Sequence, residues 1–149
     1  MKKKIVMAFG AFDGVHTGHI HYLKTAKKLG TKLIVAIARD KAPWKFSPHY
    51  HLPENERKKL IEELGIADKV VLGGITSAFE KIEQIKPDLI AISSYTPVDN
   101  KILQDELKKR GLHTKVVQIK PYKKHLFDKF FAQAHLEGMH KMGLRARTP

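Results

Sequence analysis

The sequence predicts a doubly wound α/β domain: five parallel strands in one sheet, with helices on both faces. Three observations carry that reading. Short runs rich in Val and Ile alternate with longer segments of helical period. One of the runs, Leu33 to Ala38 (LIVAIA), is apolar throughout, as a strand buried on both faces must be. The chain has 149 residues and no cysteine, enough to bury one core without covalent staples.

The elements follow in order. Lys4 to Phe9 is the first strand, and Thr17 to Leu29 a helix, with Ile20, Leu23, Ala26 and Lys27 turning past its faces and Gly30 just beyond its end. Leu33 to Ala38 is the second strand. Pro53 opens a helix with Leu60, Ile61 and Leu64 as its inner stripe and Gly65 at its end. Lys69 to Leu72 is a third strand, followed by a helix from Ser77 to Ile85 that stops before Pro87. Leu89 to Ile92 is the fourth strand, Asp99 to Lys109 a helix closed by Gly111, and Lys115 to Ile119 the fifth strand. Strands that alternate with helices in this way pair in parallel through right-handed crossovers. In such sheets ligands bind at the carboxyl ends of the strands, where the strand order reverses, and the first strand usually marks that point.

The domain is expected to end near residue 122. Beyond it, Phe127, Phe130, Phe131 and Ala134 recur at helical spacing, so 123–149 reads as a last helix and a basic, mobile tail. The formal charge is +13, from 28 Lys+Arg against 15 Asp+Glu. That sign favours nucleotides, phosphorylated substrates, nucleic acid or acidic lipid, and a solvated lysine-rich surface explains it equally well. Without cysteine there is no zinc–thiolate site and no thiol nucleophile. Met1-Lys2-Lys3-Lys4 starts like a signal peptide, but the apolar run Ile5 to Phe9 is too short for its core, and no segment is long enough to cross a bilayer. A cytoplasmic protein is the expectation.

The chemistry concentrates in Phe9-Gly10-Ala11-Phe12-Asp13-Gly14-Val15-His16-Thr17-Gly18-His19, between the first strand and the first helix. A helix start offers unpaired N–H groups and a positive dipole end to an anion. Imidazoles there can donate to phosphoryl oxygens as charge builds on them. Gly10 and Gly18 let backbone and phosphate come close. Thr17 either caps the helix or donates to a phosphate, and capping is the expected role. The plain alternative is that the histidines only cap a turn and a helix.

His16-Thr17-Gly18-His19 resembles the HxGH signature of the nucleotidyltransferase superfamily. The surrounding string, from Phe9-Gly10-Ala11-Phe12-Asp13 through His21-Tyr22-Leu23-Lys24 to Leu33-Ile34-Val35-Ala36-Ile37-Ala38-Arg39-Asp40, is similar to the cytidylyltransferase-like branch. Within it the chain most resembles archaeal FAD synthetases and glycerol-3-phosphate cytidylyltransferases. The likeness continues through Pro53-Glu54-Asn55-Glu56-Arg57, Ala67 to Gly73 and Ile85 to Ala91, covering roughly residues 4–119.

The resemblance implies a Mg²⁺-dependent nucleotidyl transfer from a nucleoside triphosphate to a phosphorylated acceptor, with ATP and FMN the expected pair. Transfer of a cytidylyl group from CTP to glycerol 3-phosphate is the same-class alternative. A non-catalytic nucleotide or RNA binder, its RNA contact in the basic tail, is the alternative of another class. Homodimers are expected. By the same resemblance His16 contacts the triphosphate, His19 stabilises charge on the α-phosphoryl oxygens, and the backbone of Gly10, Ala11 and Phe12 lines the nucleotide. Asp13 either holds the loop or approaches the hydration shell of Mg²⁺. Arg57 matches the family's phosphate-gripping arginine, and Lys45 is the candidate catalytic lysine, whereas Lys41 reads as surface charge. Trp44 and Phe46 either stack on an aromatic substrate ring or cover the core edge.

Two stretches depart from the family's pattern. After strand four the base-pocket stretch is Ser93-Ser94-Tyr95-Thr96-Pro97 in place of Gly-Tyr-Asp or Gly-Asp-Asp. After strand five a Ser/Thr-rich phosphate motif is replaced by Lys120-Pro121-Tyr122-Lys123-Lys124, where Lys123 and Lys124 offer charge without the same geometry.

Overall fold

The computed structural model describes residues 2–42, 50–94 and 98–123. Their elements are β1 (Ile5–Gly10), α1 (Thr17–Lys28), β2 (Lys32–Ile37), α2 (Glu54–Glu63), β3 (Lys69–Leu72), α3 (Glu80–Ile85), β4 (Leu89–Ser93), α4 (Asn100–Lys109) and β5 (Lys115–Ile119). All pairings are parallel, in the order β3-β2-β1-β4-β5. The expected doubly wound sheet is present, and its order reverses at β1, against which both β2 and β4 pair. Among the described residues no helix is long and apolar enough to cross a membrane. The expected last helix and tail begin at the limit of the described residues and lie almost wholly outside them.

Alternation along the strands divides the core in two. Val6, Ala8, Leu33, Val35, Ile37, Leu89 and Ala91 bury one face with Leu23 and Ala26 of α1 and Ile61 of α2. Met7, Ile34, Ala36, Ile90 and Ile92 bury the other with Ile82 of α3 and Leu107 of α4. Two strand starts are pinned by carboxylates. Asp88 accepts from Ile5 N–H at 2.7 Å while its own N–H reaches Ile5 C=O at 2.9 Å, and Asp68 makes the same reciprocal pair with Leu33. These aspartates belong to the stretches that resemble the family, yet they fix register at the amino edge of the sheet.

Three expectations shift. The helix expected from Ser77 starts at Glu80, because Ser77 Oγ accepts from Phe79 N–H in a tight turn ahead of it. The inner face of α2 is Ile61 together with Arg57, both fully buried, while Leu60 and Leu64 are half-covered. The α1 cap is His16, not Thr17, which is exposed at the first helical position.

Candidate active site

The β1–α1 turn ties itself together with its two histidines. His16 Nδ1 accepts from Gly18 N–H at 3.0 Å, and His19 Nδ1 accepts from His16 N–H at 3.2 Å, a reciprocal capping box in which imidazoles take the usual place of Ser and Glu. A nitrogen that accepts a hydrogen bond carries no proton, so this pattern assigns the proton of each neutral ring to Nε2. The ring centroids are 3.9 Å apart. Burial lowers the pKa of His16, and burial followed by the neighbouring His16 brings His19 down to about 4. Both rings are therefore neutral Nε2–H donors at pH 7, beside a helix N-terminus that itself favours anions.

Buried packing holds this geometry. Phe12, itself buried, takes a positive φ of 52° and sets its ring 5.4 Å from that of His19. A Cβ on Gly10 would stand 2.6 Å from the Phe12 ring, so the glycine makes room for the residue that backs the histidine. Gly14, at φ +102°, completes the turn. Asp13 accepts from His51 N–H at 2.7 Å, Leu52 N–H at 2.9 Å and the His51 ring at 2.9 Å. Burial pushes the Asp13 carboxyl up, but those hydrogen bonds outweigh it and the group lies below its ordinary value. Of its two expected roles the geometry matches loop-holding. Arg57, fully buried, donates to Ala11 C=O at 2.8 Å, Leu52 C=O at 2.9 Å and Asp40 at 2.7 Å, with the Tyr50 ring 4.3 Å from its guanidinium carbon. It braces the turn from behind and lies outside the cleft lining.

Above the turn a cleft of about 560 Å³ runs along the carboxyl edge of the sheet. Tyr22 shows why it opens there. Its hydroxyl donates to Ala91 C=O at 2.6 Å and accepts from Phe9 N–H at 3.2 Å, satisfying backbone groups where β1 and β4 part after the Ala8–Ala91 pair. Burial pushes the Tyr22 hydroxyl pKa up, so it stays protonated. Of the residues singled out from sequence, Gly10, Ala11, Phe12, His16, Gly18, His19, Ser93 and Ser94 line this cleft. Asp13, Thr17, Arg57 and Lys123 do not line it, and Lys45, Tyr95 and Lys124 lie outside the described residues, as do Trp44 and Phe46. Sequence reasoning missed Tyr22, Arg39, Phe79, Lys81 and Lys120, which also line it. Among the described residues its basic side chains are Arg39, Lys81 and Lys120 besides the histidines, and no Asp or Glu lines it.

Comparison with known proteins bears on this arrangement. A family model described as cytidylyltransferase-like matches residues 7–137. The chain belongs to the cytidylyltransferase-like family. It is 44% identical over 115 residues to an FAD synthase of Archaeoglobus profundus, covering 77% of this chain and 74% of that one. It is 42% identical over 120 residues to an FAD synthase of Ferroglobus placidus, covering 80% and 77%. Among solved structures, a lipopolysaccharide core biosynthesis protein of Thermoplasma volcanium superposes with a TM-score of 0.78 at 38% identity, over 82% of this chain and all of that one. A pantoate-beta-alanine ligase of Francisella tularensis, 14% identical, has a TM-score of 0.61 over 85% of this chain and 65% of that one, a likeness of fold alone. The family match runs past residue 122, the boundary expected from sequence.

Proposed function

We propose that this protein of the cytidylyltransferase-like family transfers the adenylyl group of ATP to FMN. A phosphate oxygen of FMN attacks the α-phosphorus, a new P–O–P bond forms, the bond between the α-phosphorus and its bridging oxygen breaks, and pyrophosphate leaves with FAD as product. The observation that carries this reading is the pair of neutral Nε2–H imidazoles at a helix start, in a cation-lined cleft, in a chain with FAD synthase relatives above 40% identity.

Each part has a physical task. The reaction needs positioning and charge stabilisation more than covalent help. His16 and His19 donate to α-phosphoryl oxygens, and their bonds strengthen as negative charge accumulates in the transition state. Holding Nδ1 in the capping box orients both rings before substrate arrives. Arg39, Lys81 and Lys120 offset the charge of the phosphates. Lys45 and Lys124 fit the same role by sequence, whereas Lys123 stands outside the cleft lining. Among the described residues no group of three or more His, Asp or Glu could hold a metal, and Mg²⁺ arriving on the nucleotide's phosphates needs no such cage.

Purified protein is to be incubated with ATP or CTP, and with FMN or glycerol 3-phosphate, and the products separated by chromatography. FAD and an equal amount of pyrophosphate, from ATP with FMN alone, is the expected result. Turnover of CTP with glycerol 3-phosphate would replace this reading with the cytidylyl one.

A further inference from the structure

The amino edge of the sheet, opposite the cleft, has a composition of its own. All five strands are parallel, so their first residues share that edge. Lys4 stands just before β1, Lys32 opens β2, Lys69 opens β3, Lys115 opens β5, and Lys86 lies in the turn before β4. The register sets these starts nearly level, with Lys32 beside Ile5, Lys69 beside Ile34 and Lys115 beside Leu89. Neighbouring strands are about 4.8 Å apart, so the row of lysines is roughly 19 Å long. Lys4, Lys69, Lys86 and Lys115 are exposed and Lys32 is half-buried. Lys28, Lys108 and Lys109 reach the same edge in the last turns of α1 and α4, where a cation answers the negative end of the helix dipole. A strand start has no comparable dipole, so that reason does not account for the row.

The acids at this edge are mostly engaged. Asp88 accepts from Ile5 N–H, Asp68 accepts from Leu33 N–H with Lys27 at 3.5 Å, and Arg110 holds Glu83 and Glu106. Glu62 is paired with Lys58, and Glu63 stands beside it at the end of α2. The exposed large hydrophobics among the described residues, Leu52, Ile75, Val98 and Ile102, all lie toward the cleft end: before α2, after β3, after β4 and in the first turn of α4. The strand starts and the turns before them contain no Phe, Tyr or Trp.

We propose that the amino edge of the sheet is a binding face for a nucleic-acid duplex, held by its phosphodiester backbone and independent of the cleft. Spaced cations release counterions from such a backbone without reading its sequence. A membrane face of this kind carries apolar or aromatic side chains that enter the lipid, and this edge exposes none. Single strands are held by bases stacked on aromatic rings, which the edge also lacks.

Fluorescence anisotropy of short labelled duplexes, one of RNA and one of DNA, tests this on the full chain and shows which the face prefers. The expected Kd is about 1–100 µM at physiological salt, with log K falling against log salt at a slope of roughly −4 between about 50 and 200 mM KCl. Substituting Lys4→Gln, Lys69→Gln and Lys115→Gln together weakens binding at least about tenfold and flattens the slope by roughly three. Lys69→Gln alone flattens it by about one, which keeps the test open should the triple variant unfold in a urea titration. Lys24→Gln, Lys59→Gln and Lys101→Gln together remove the same charge from exposed helix positions and leave Kd within about twofold of wild type. Saturating Mg²⁺–ATP at matched ionic strength leaves the duplex bound. Equal weakening by the two triple variants makes the attraction a property of the whole charged surface and overturns the proposal. So does weakening confined to Lys141→Gln, Arg145→Gln and Arg147→Gln, which moves the contact to the chain end, or displacement of the duplex by ATP, which moves it to the cleft. Tighter binding of a single strand, or binding of phosphatidylglycerol vesicles with no duplex bound, overturns it in favour of those partners.

Discussion

The β1–α1 turn and the α3–α4 wall face the same cleft and are built in opposite ways. The turn is polar and holds itself together: each histidine bonds the backbone of the other's neighbourhood, and Phe12, Asp13 and Arg57 brace it from behind. The wall is mostly apolar, with Lys81 as its charged residue, and Phe79 in it is clamped by an ion-pair network reaching in from solvent. The difference separates two tasks. Chemistry at phosphorus needs donors whose positions do not change, whereas recognition of a substrate ring needs surface and flatness. Damage to the turn is expected in stability and kcat, and damage to the wall in KM for one substrate.

The largest expected effect is behind the turn. Arg57→Ala removes a fully buried cation and leaves Ala11 and Leu52 C=O and the Asp40 carboxylate without it, at a cost of about 3 kcal/mol in unfolding free energy. Urea denaturation reads this directly, and a loss below about 0.5 kcal/mol would dismiss Arg57 as a brace. Within the turn, His16→Ala lowers kcat for FAD formation by roughly 10²–10³-fold, the usual consequence of losing one donor to a developing oxyanion. At the fork between β1 and β4, Tyr22→Phe leaves Phe9 N–H and Ala91 C=O unpaired and costs about 1–3 kcal/mol, read as a lower urea midpoint.

Acid separates the two regions more gently. The folded pKa of His19, about 4, lies below the ordinary 6.5, so between those values the unfolded chain binds more protons than the folded one. Stability from this group is complete above pH 6.5 and is lost as pH falls toward 4. Asp13, held below its ordinary 3.8, extends the loss further into acid. Urea midpoints at pH 7, 5.5 and 4.5 fall in that order, and His19→Asn flattens the decline. Phe79→Leu removes no titratable group and keeps the wild-type slope.

The same contrast explains what could be read from sequence. Strands and helices were legible because their signals are local: LIVAIA is apolar over consecutive residues, and Gly65 and Gly111 stand just past α2 and α4 at φ +68° and +72°. The turn was legible because its histidines, glycines and helix start are contiguous. The role of Arg57 was not, since its place depends on Ala11 and Asp40, brought to it from 46 and 17 residues away. Capping by His16 instead of Thr17 entered only as the plain alternative, because imidazoles seldom take that position. Phe79 gave no signal at all. It sits in a turn read as helix, and its clamp, Arg110, comes from the far end of α4.

One pair of substitutions bears most directly on the claim that each histidine holds the turn with one nitrogen and serves the phosphate with the other. Asn at position 19 can place an amide oxygen near the site of Nδ1 but nothing at Nε2, and Gln does the reverse. The account predicts that His19→Asn keeps the unfolding free energy within about 0.5 kcal/mol of wild type while kcat falls roughly 10²–10³-fold. It predicts that His19→Gln costs about 1 kcal/mol of stability and retains more of the rate. Stability lost in the Asn variant with its kcat intact, and kcat lost in the Gln variant with its stability intact, would contradict it.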